Sequence, residues 1–238
     1  MPELTEADRK VVAYALRHPR GRYSVHRASQ LSGVPSSTVY NWRRNSILEP
    51  DYPGANPALW SYRDLVLLRL LAWLRQGGMP RPLAAEKVSS VRSQLSAGKD
   101  IRKIHASQSE VILSGPDDDN VDDDRGNLLP SSDFYDLLAK FDLHEPVDEL
   151  RNSANGPVWA PNLVTPSDHS MISPFVLAGD PCVEHSRIPT AAIYALHTER
   201  QLPVAAIVDL YPGITEASVE DVVQLEGRLR GIELPTAA

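Results

Sequence analysis

Apolar residues recur at helical spacing in several windows of this chain, each bounded by turn-forming residues. In residues 4–17 the set Leu4, Val11, Val12, Ala15 and Leu16 predicts a helix with Thr5 at its N-cap, ending at His18-Pro19-Arg20-Gly21. Residues 23–50 carry a tighter pattern. Val25, Ala28 and Leu31 line one face of a short helix, and Gly33 follows in a Ser-Gly-Val turn. Pro35 opens a second helix, Ser36 and Ser37 suit its first turn, and Val39 and Trp42 point inward. This spacing predicts a helix-turn-helix. Residues 51–57 then form a turn-rich loop, and Ala58-Leu59-Trp60 completes a pattern suited to a two-stranded wing. Ser61 and Asp64 resemble a capping box for a strongly apolar helix over residues 62–76 that stops at Gly77-Gly78. A further helix is predicted from about 82 to 95.

The pattern weakens beyond residue 100. Residues 109–113 read as a strand, 132–141 as a short helix and 158–161 as an extended segment. Prolines at 116, 130, 146, 157, 161, 166 and 174 argue against long regular elements there. Residues 179–231 are helical again, with helices predicted over 190–199, 203–210 and 218–229. The expected fold class is mainly α with minor β. It comprises a winged helix-turn-helix domain (1–98), an irregular, acidic middle with short strands that serves as linker or dimerisation region (99–175) and a C-terminal three-helix domain (176–238).

Charge sharpens this division. The 238-residue chain has a formal net charge of −7, which by itself argues against nucleic acid. Residues 1–109, however, hold 17 Lys and Arg against 8 Asp and Glu, a net +9. Residues 110–238 hold 7 against 23, a net −16. Such asymmetry fits a DNA-binding module joined to a module with a different partner. Thr38, Tyr40, Asn41, Arg43 and Arg44 are expected to face outward from the second helix of the motif as a polar, cationic surface. Ser36 and Ser37 in its first turn and Arg63 after the wing complete the candidate DNA-binding set. Trp42 and Trp60 suit core and wing packing, and the Leu-rich helix suits core or a dimer interface. The acidic run 116–124 reads as a solvated loop.

Other classes are disfavoured. No stretch of about 20 apolar residues is present, so no membrane span is expected. The segment MPELTEADRK lacks the apolar core of a signal peptide, and the lone Cys182 forms no disulfide within the chain, which together point to the cytoplasm. The chain carries no nucleophile elbow, P-loop, HExxH or Gly-rich dinucleotide turn, and its seven histidines are scattered. A non-enzymatic protein without cofactor is therefore expected. Cys182, Glu184 and His185 have ligating chemistry, but one Cys with no second nearby His makes a poor zinc site, and no metal is expected.

Two resemblances add to this reading. Ala28, Gly33-Val34, Thr38-Val39, Trp42, Ile47-Leu48-x-Pro50, Ser61, Asp64-Leu65 and Gly77-Gly78 resemble the DNA-binding domain of MerR-type regulators, with Tyr40 where that family usually has an Arg. Asp180-Pro181, Arg187-Ile188-Pro189-Thr190, Leu202-Pro203, the run from Ile207 to Pro212 and Ser218-Val219-Glu220-Asp221-Val222 resemble a small helical antitoxin family. Their order is similar to that of the larger, mycobacterial VapB-type antitoxins. That resemblance implies an antitoxin of a type II toxin-antitoxin module that binds and inhibits a PIN-domain ribonuclease toxin of the VapC type. It also implies a homodimer that binds operator DNA and represses its own operon. Arg187, Ile188, Pro189 and Tyr211 are the candidate toxin-binding residues, although Arg187 also suits a role in pinning its turn through backbone carbonyls. The alternative is a stand-alone MerR-like regulator with a small-molecule effector, which calls for a long dimer helix after the wing.

Overall fold

A computed structural model of the chain describes residues 5–101, 103–106, 110–115, 132–138, 141–142 and 159–231. The protein is mainly helical, with short strands and an irregular middle segment. Helix α1 (Glu6–Arg17) begins at Thr5, whose hydroxyl accepts the Asp8 N–H while the Asp8 carboxylate accepts the Thr5 N–H. Helix α2 (Val25–Ser32) is capped by Ser24 and buries Val25, Ala28 and Leu31. It ends at Gly33, where φ is +77° and a Cβ would lie 2.9 Å from that of Ala160. Both the left-handed backbone and the close approach require glycine. Helix α3 (Ser36–Arg44) starts after Pro35, with no side-chain cap from either serine of its first turn.

The expected wing is reduced to a single bridge between Tyr52 and Leu59, beside a second bridge between Tyr23 and Trp60. Helix α4 (Tyr62–Gln76) has the predicted capping box of Ser61 and Asp64. It buries a Leu-rich run, and it also buries Arg69, whose guanidinium donates to the carbonyls of Leu31 (2.6 Å), Leu137 (2.8 Å) and Pro161 (2.6 Å). Helix α5 (Arg81–Ser96) folds back on α4 and α1, burying Ala84, Val88, Val91 and Leu95.

In the middle region, strand β1 (Lys103–Ala106) pairs antiparallel with β2 (Val111–Ser114) on one side and with β3 (Ser132–Asp133) on the other. The predicted helix over 132–141 is replaced by β3, a 3₁₀ turn (Phe134–Leu138) and β4 (Phe141–Asp142). Pairing of its two ends with distant strands overrides the local helical spacing. The predicted extended segment near 159 is β5 (Trp159–Ala160), paired with β4. The acidic run 116–124 lies outside the described residues.

The tail begins with a hairpin of β6 (Ser170–Met171) and β7 (Cys182–Val183). Helix α6 (Thr190–Tyr194) continues as a π turn (Ala195–Glu199), and α7 (Val204–Leu210) and α8 (Glu216–Leu229) complete the three predicted helices. Helix α8 starts two residues earlier than predicted because Thr215, not a later residue, caps it, its hydroxyl accepting the Ser218 N–H at 3.1 Å. Two hydrophobic clusters result. The larger joins α1–α5 to Phe134, Leu138, Leu163 and Ile172; the smaller holds Val183, Ile193, Ile207, Val219 and Val222. Helix α8 serves both, since Leu225 and Leu229 enter the larger cluster. Burying each leucine contributes about 1.5–3 kcal/mol.

Candidate nucleic-acid interface

Helix α3 presents two different faces. Val39 and Trp42 are buried, and so is Thr38, one turn before Trp42. Thr38 therefore belongs to the packed row rather than to the outward surface expected for it, because positions i and i+4 share a face. Ser37, Tyr40, Asn41 and Arg44 are exposed, and Ser36 and Arg43 are half-buried. Tyr40 is 58% exposed. Asn45 donates to the carbonyl of Asn41 at 2.9 Å and to its side-chain oxygen, closing the helix end. Neither Arg43 nor Arg44 forms an ion pair among the described residues, so their N–H groups stay available to an anion.

Arg63 is placed elsewhere. Its guanidinium is buried beneath the wing and grips Asp51, with Nη2–Oδ1 at 2.6 Å and Nε–Oδ2 at 3.1 Å. Nη1 donates to Ser96 Oγ at 2.7 Å. Arg63 is therefore a buried structural cation and not an exposed contact for DNA: as the second residue of α4 it turns into the core. Arg92 completes this cluster, with 2.7 Å to Asp64 and 3.5 Å to Asp51. Burial, and then the charge of Asp51, push the Asp64 carboxyl up to about 6, against the pull of Arg92.

Two arginines outside the helices were passed over by the helix-centred candidate set. Arg20 and Arg22 are exposed and lack ion pairs among the described residues. Their visible signal is the cation-rich run His18-Pro19-Arg20-Gly21-Arg22 that ends α1.

In the tail, Arg187 is exposed. The turn around it is held by its neighbour: Ser186 Oγ donates to the Val183 carbonyl at 2.8 Å and accepts the Ile188 N–H at 3.1 Å. Ile188 and Pro189 are half-buried turn residues, with Pro189 immediately before α6, and Tyr211 packs half-buried at the end of α7. Helix α7 buries only Ile207. Val204 and Val208 are half-buried against the smaller cluster, and Leu210 is 58% exposed. No group of three His, Cys, Asp or Glu side chains among the described residues is placed to hold a metal ion.

The tail and the helix-turn-helix are joined by charge. Arg27 of α2 binds Glu226 of α8 through two hydrogen bonds (2.7 and 3.2 Å) and reaches Asp180 at 2.7 Å. Thr190 Oγ1 donates to Glu226 at 2.5 Å. Burial opposes ionisation of Glu226, but the hydrogen bonds and charge of Arg27, with the Thr190 hydroxyl, outweigh it and hold the carboxyl below its ordinary range. No helix among the described residues is long and apolar enough to cross a membrane. No curated protein and no solved structure matches the chain. A family model described as a protein of unknown function (DUF433) matches residues 171–224, the stretch from β6 into α8.

Proposed function

We propose that this chain is an antitoxin with two partners: operator DNA, through which it represses its own operon as a homodimer, and a PIN-domain ribonuclease, which its tail inhibits. The observation that carries the reading is the outer face of α3, where Tyr40, Asn41, Arg43 and Arg44 stand together with no carboxylate partner among the described residues. Arginines without ion pairs beside exposed amide and hydroxyl groups suit a groove lined by phosphates and base edges. One such helix reads few base pairs, so two copies on two half-sites are needed for specificity.

The tail supports the second half of the reading through its antitoxin-like motifs, which overlap the stretch matched by the family of unknown function. Leu210 of α7, a large apolar side chain left 58% exposed, is the kind of group a protein partner covers. The regulator alternative calls for a protruding helix after the wing, whereas α5 folds back onto α4 and α1.

The test combines two measurements. Tagged protein, isolated from its own cells after nuclease treatment, should retain a PIN-domain ribonuclease at near-equal yield by mass spectrometry. In mobility shifts on DNA from upstream of its gene, Arg43→Ala with Arg44→Ala should weaken binding and lower the salt slope by about 1 per arginine. Absence of the ribonuclease removes the antitoxin half; unchanged shifts at every salt concentration remove the proposed recognition face.

A further inference from the structure

Exposed arginine side chains are normally mobile, but Arg20 and Arg22 each lie over an aromatic ring. The Arg20 guanidinium lies 5.6 Å from the Tyr14 ring centre and 5.7 Å from that of Phe175. Arg22 lies 5.6 Å from the ring centre of Tyr52 at the root of the wing. Phe175 is 52% exposed and Tyr14 is 43% exposed, so these rings are surface groups, not core. A cation–π contact uses the face of a guanidinium and leaves most of its N–H fork pointing outward. Arg20 spends one donor on the Tyr14 hydroxyl, at 3.3 Å. Asp51, next in sequence to Tyr52, is already taken by Arg63 and Arg92.

One of the two rings beside Arg20, Phe175, comes from a distant part of the chain, and the backbone there is built to deliver it. Leu177, Ala178 and Gly179 all have positive φ, at 50°, 55° and 90°. The Ala178 carbonyl accepts the Arg22 N–H at 2.7 Å, and the Gly179 carbonyl accepts the Tyr23 hydroxyl at 2.8 Å. A Cβ on Gly179 would lie 2.1 Å from that hydroxyl, so only glycine lets the segment close down on residues 21–23. Non-glycine residues in this region are strained and persist where surrounding contacts enforce them. The result is a pair of ring-held arginines without ion pairs among the described residues, one beside Phe175 and one beside Tyr52 of the wing.

We infer that Arg20 and Arg22, held in cation–π contact with Tyr14, Phe175 and Tyr52, form a clamp for the phosphate backbone of duplex DNA beside the groove entered by α3. This rests on the DNA-binding half of the proposed function. The reach is suitable: eight backbone steps from Arg44 to Tyr52 span at most about 29 Å, less than one turn of duplex at about 34 Å. Phosphate contacts position a protein and carry no base preference. The clamp therefore adds affinity and salt dependence on any duplex, and it depends on the tail segment that supplies Phe175.

The experiment is a fluorescence-anisotropy titration of the full chain at a series of KCl concentrations. The probes are a labelled duplex of the DNA upstream of its own gene and a scrambled duplex of the same length and composition. Arg20→Gln with Arg22→Gln should lower the log–log salt slope by about 1.8, at about 0.9 per phosphate, and weaken both duplexes by the same factor. Phe175→Ala should weaken both with the slope retained, since the charges remain but are no longer held. Single variants, each read by a slope loss of about 0.9, serve should the pair fail to fold. A native protein that binds with a slope the double variant keeps overturns the clamp and leaves α3 standing. A native protein that binds neither duplex overturns the DNA reading and the clamp with it.

Discussion

Beneath the wing, Asp51, Arg63, Asp64 and Arg92 pack four full charges into a site with little solvent. Asp64 is fully buried, and its carboxyl titrates near 6 instead of near 4. Its folded-state value lies above the unfolded one, so the folded state binds the proton more tightly between those two values. The associated stability is complete below about pH 4 and is lost as pH rises through about 6, by up to about 3 kcal/mol. Asp64→Asn removes this titration. Denaturation at a series of pH values should show the variant gaining on the native protein from pH 4 to 6, and curves that stay parallel would dismiss the shift. Arg69 belongs to the same scale: buried among carbonyls, its guanidinium is pushed down to about 9. The burial of Arg63 and Arg69 was not visible in the sequence, where Arg63 was a DNA-binding candidate and Arg69 drew no reading. Which way a charged side chain points depends on what packs over it, and the covering residues come from α1, α5 and the middle segment.

At the scale of elements, α2 and α8 are linked by Arg27 and Glu226 across nearly the whole sequence. Removing one partner of a buried pair leaves an uncompensated charge, which costs about 3–5 kcal/mol. Glu226→Gln should therefore lower stability by that order in urea denaturation. Arg27→Met combined with Glu226→Leu should recover most of the loss, because no fully buried unpaired charge remains: Asp180, which also loses Arg27, is one-third exposed to solvent. A double variant no better than the single one would mean that the pair acts through geometry, not charge. Helix α7 offers the contrasting case. Leu210 carries little of the fold, so Leu210→Asp should leave the melting temperature within about 2 °C. In calorimetry against the PIN-domain ribonuclease proposed as its partner it should weaken binding at least tenfold; an unaltered affinity would move the proposed contact away from α7. The helices themselves were legible beforehand. Caps such as Thr5 and Ser61, and the stops at Gly33 and Gly77, depend on neighbours within four residues. The helix predicted over 132–141 failed for the opposite reason, since strand pairing with Lys103 and Ile104 is set by residues almost thirty positions away.

Across the whole molecule, the tail is fastened to the helix-turn-helix at three places. Leu225 and Leu229 share its core, Arg27 holds Glu226 and Asp180, and Tyr23 binds Gly179. Such coupling predicts one cooperative unfolding transition, with tryptophan fluorescence and far-UV circular dichroism giving the same midpoint in urea. Two separated midpoints would show that the tail melts independently. The sequence by itself determined the order of helices, the helix-turn-helix with its inward Val39 and Trp42, and the split between a basic and an acidic half, because these follow from periodicity, capping and composition. Tertiary structure alone decided that Thr38 and Arg63 face inward, that Arg27 meets Glu226, and that Phe175 comes to rest beside Arg20. Those outcomes are contacts between residues distant in the chain, and a local pattern holds no information about which distant surface will cover it.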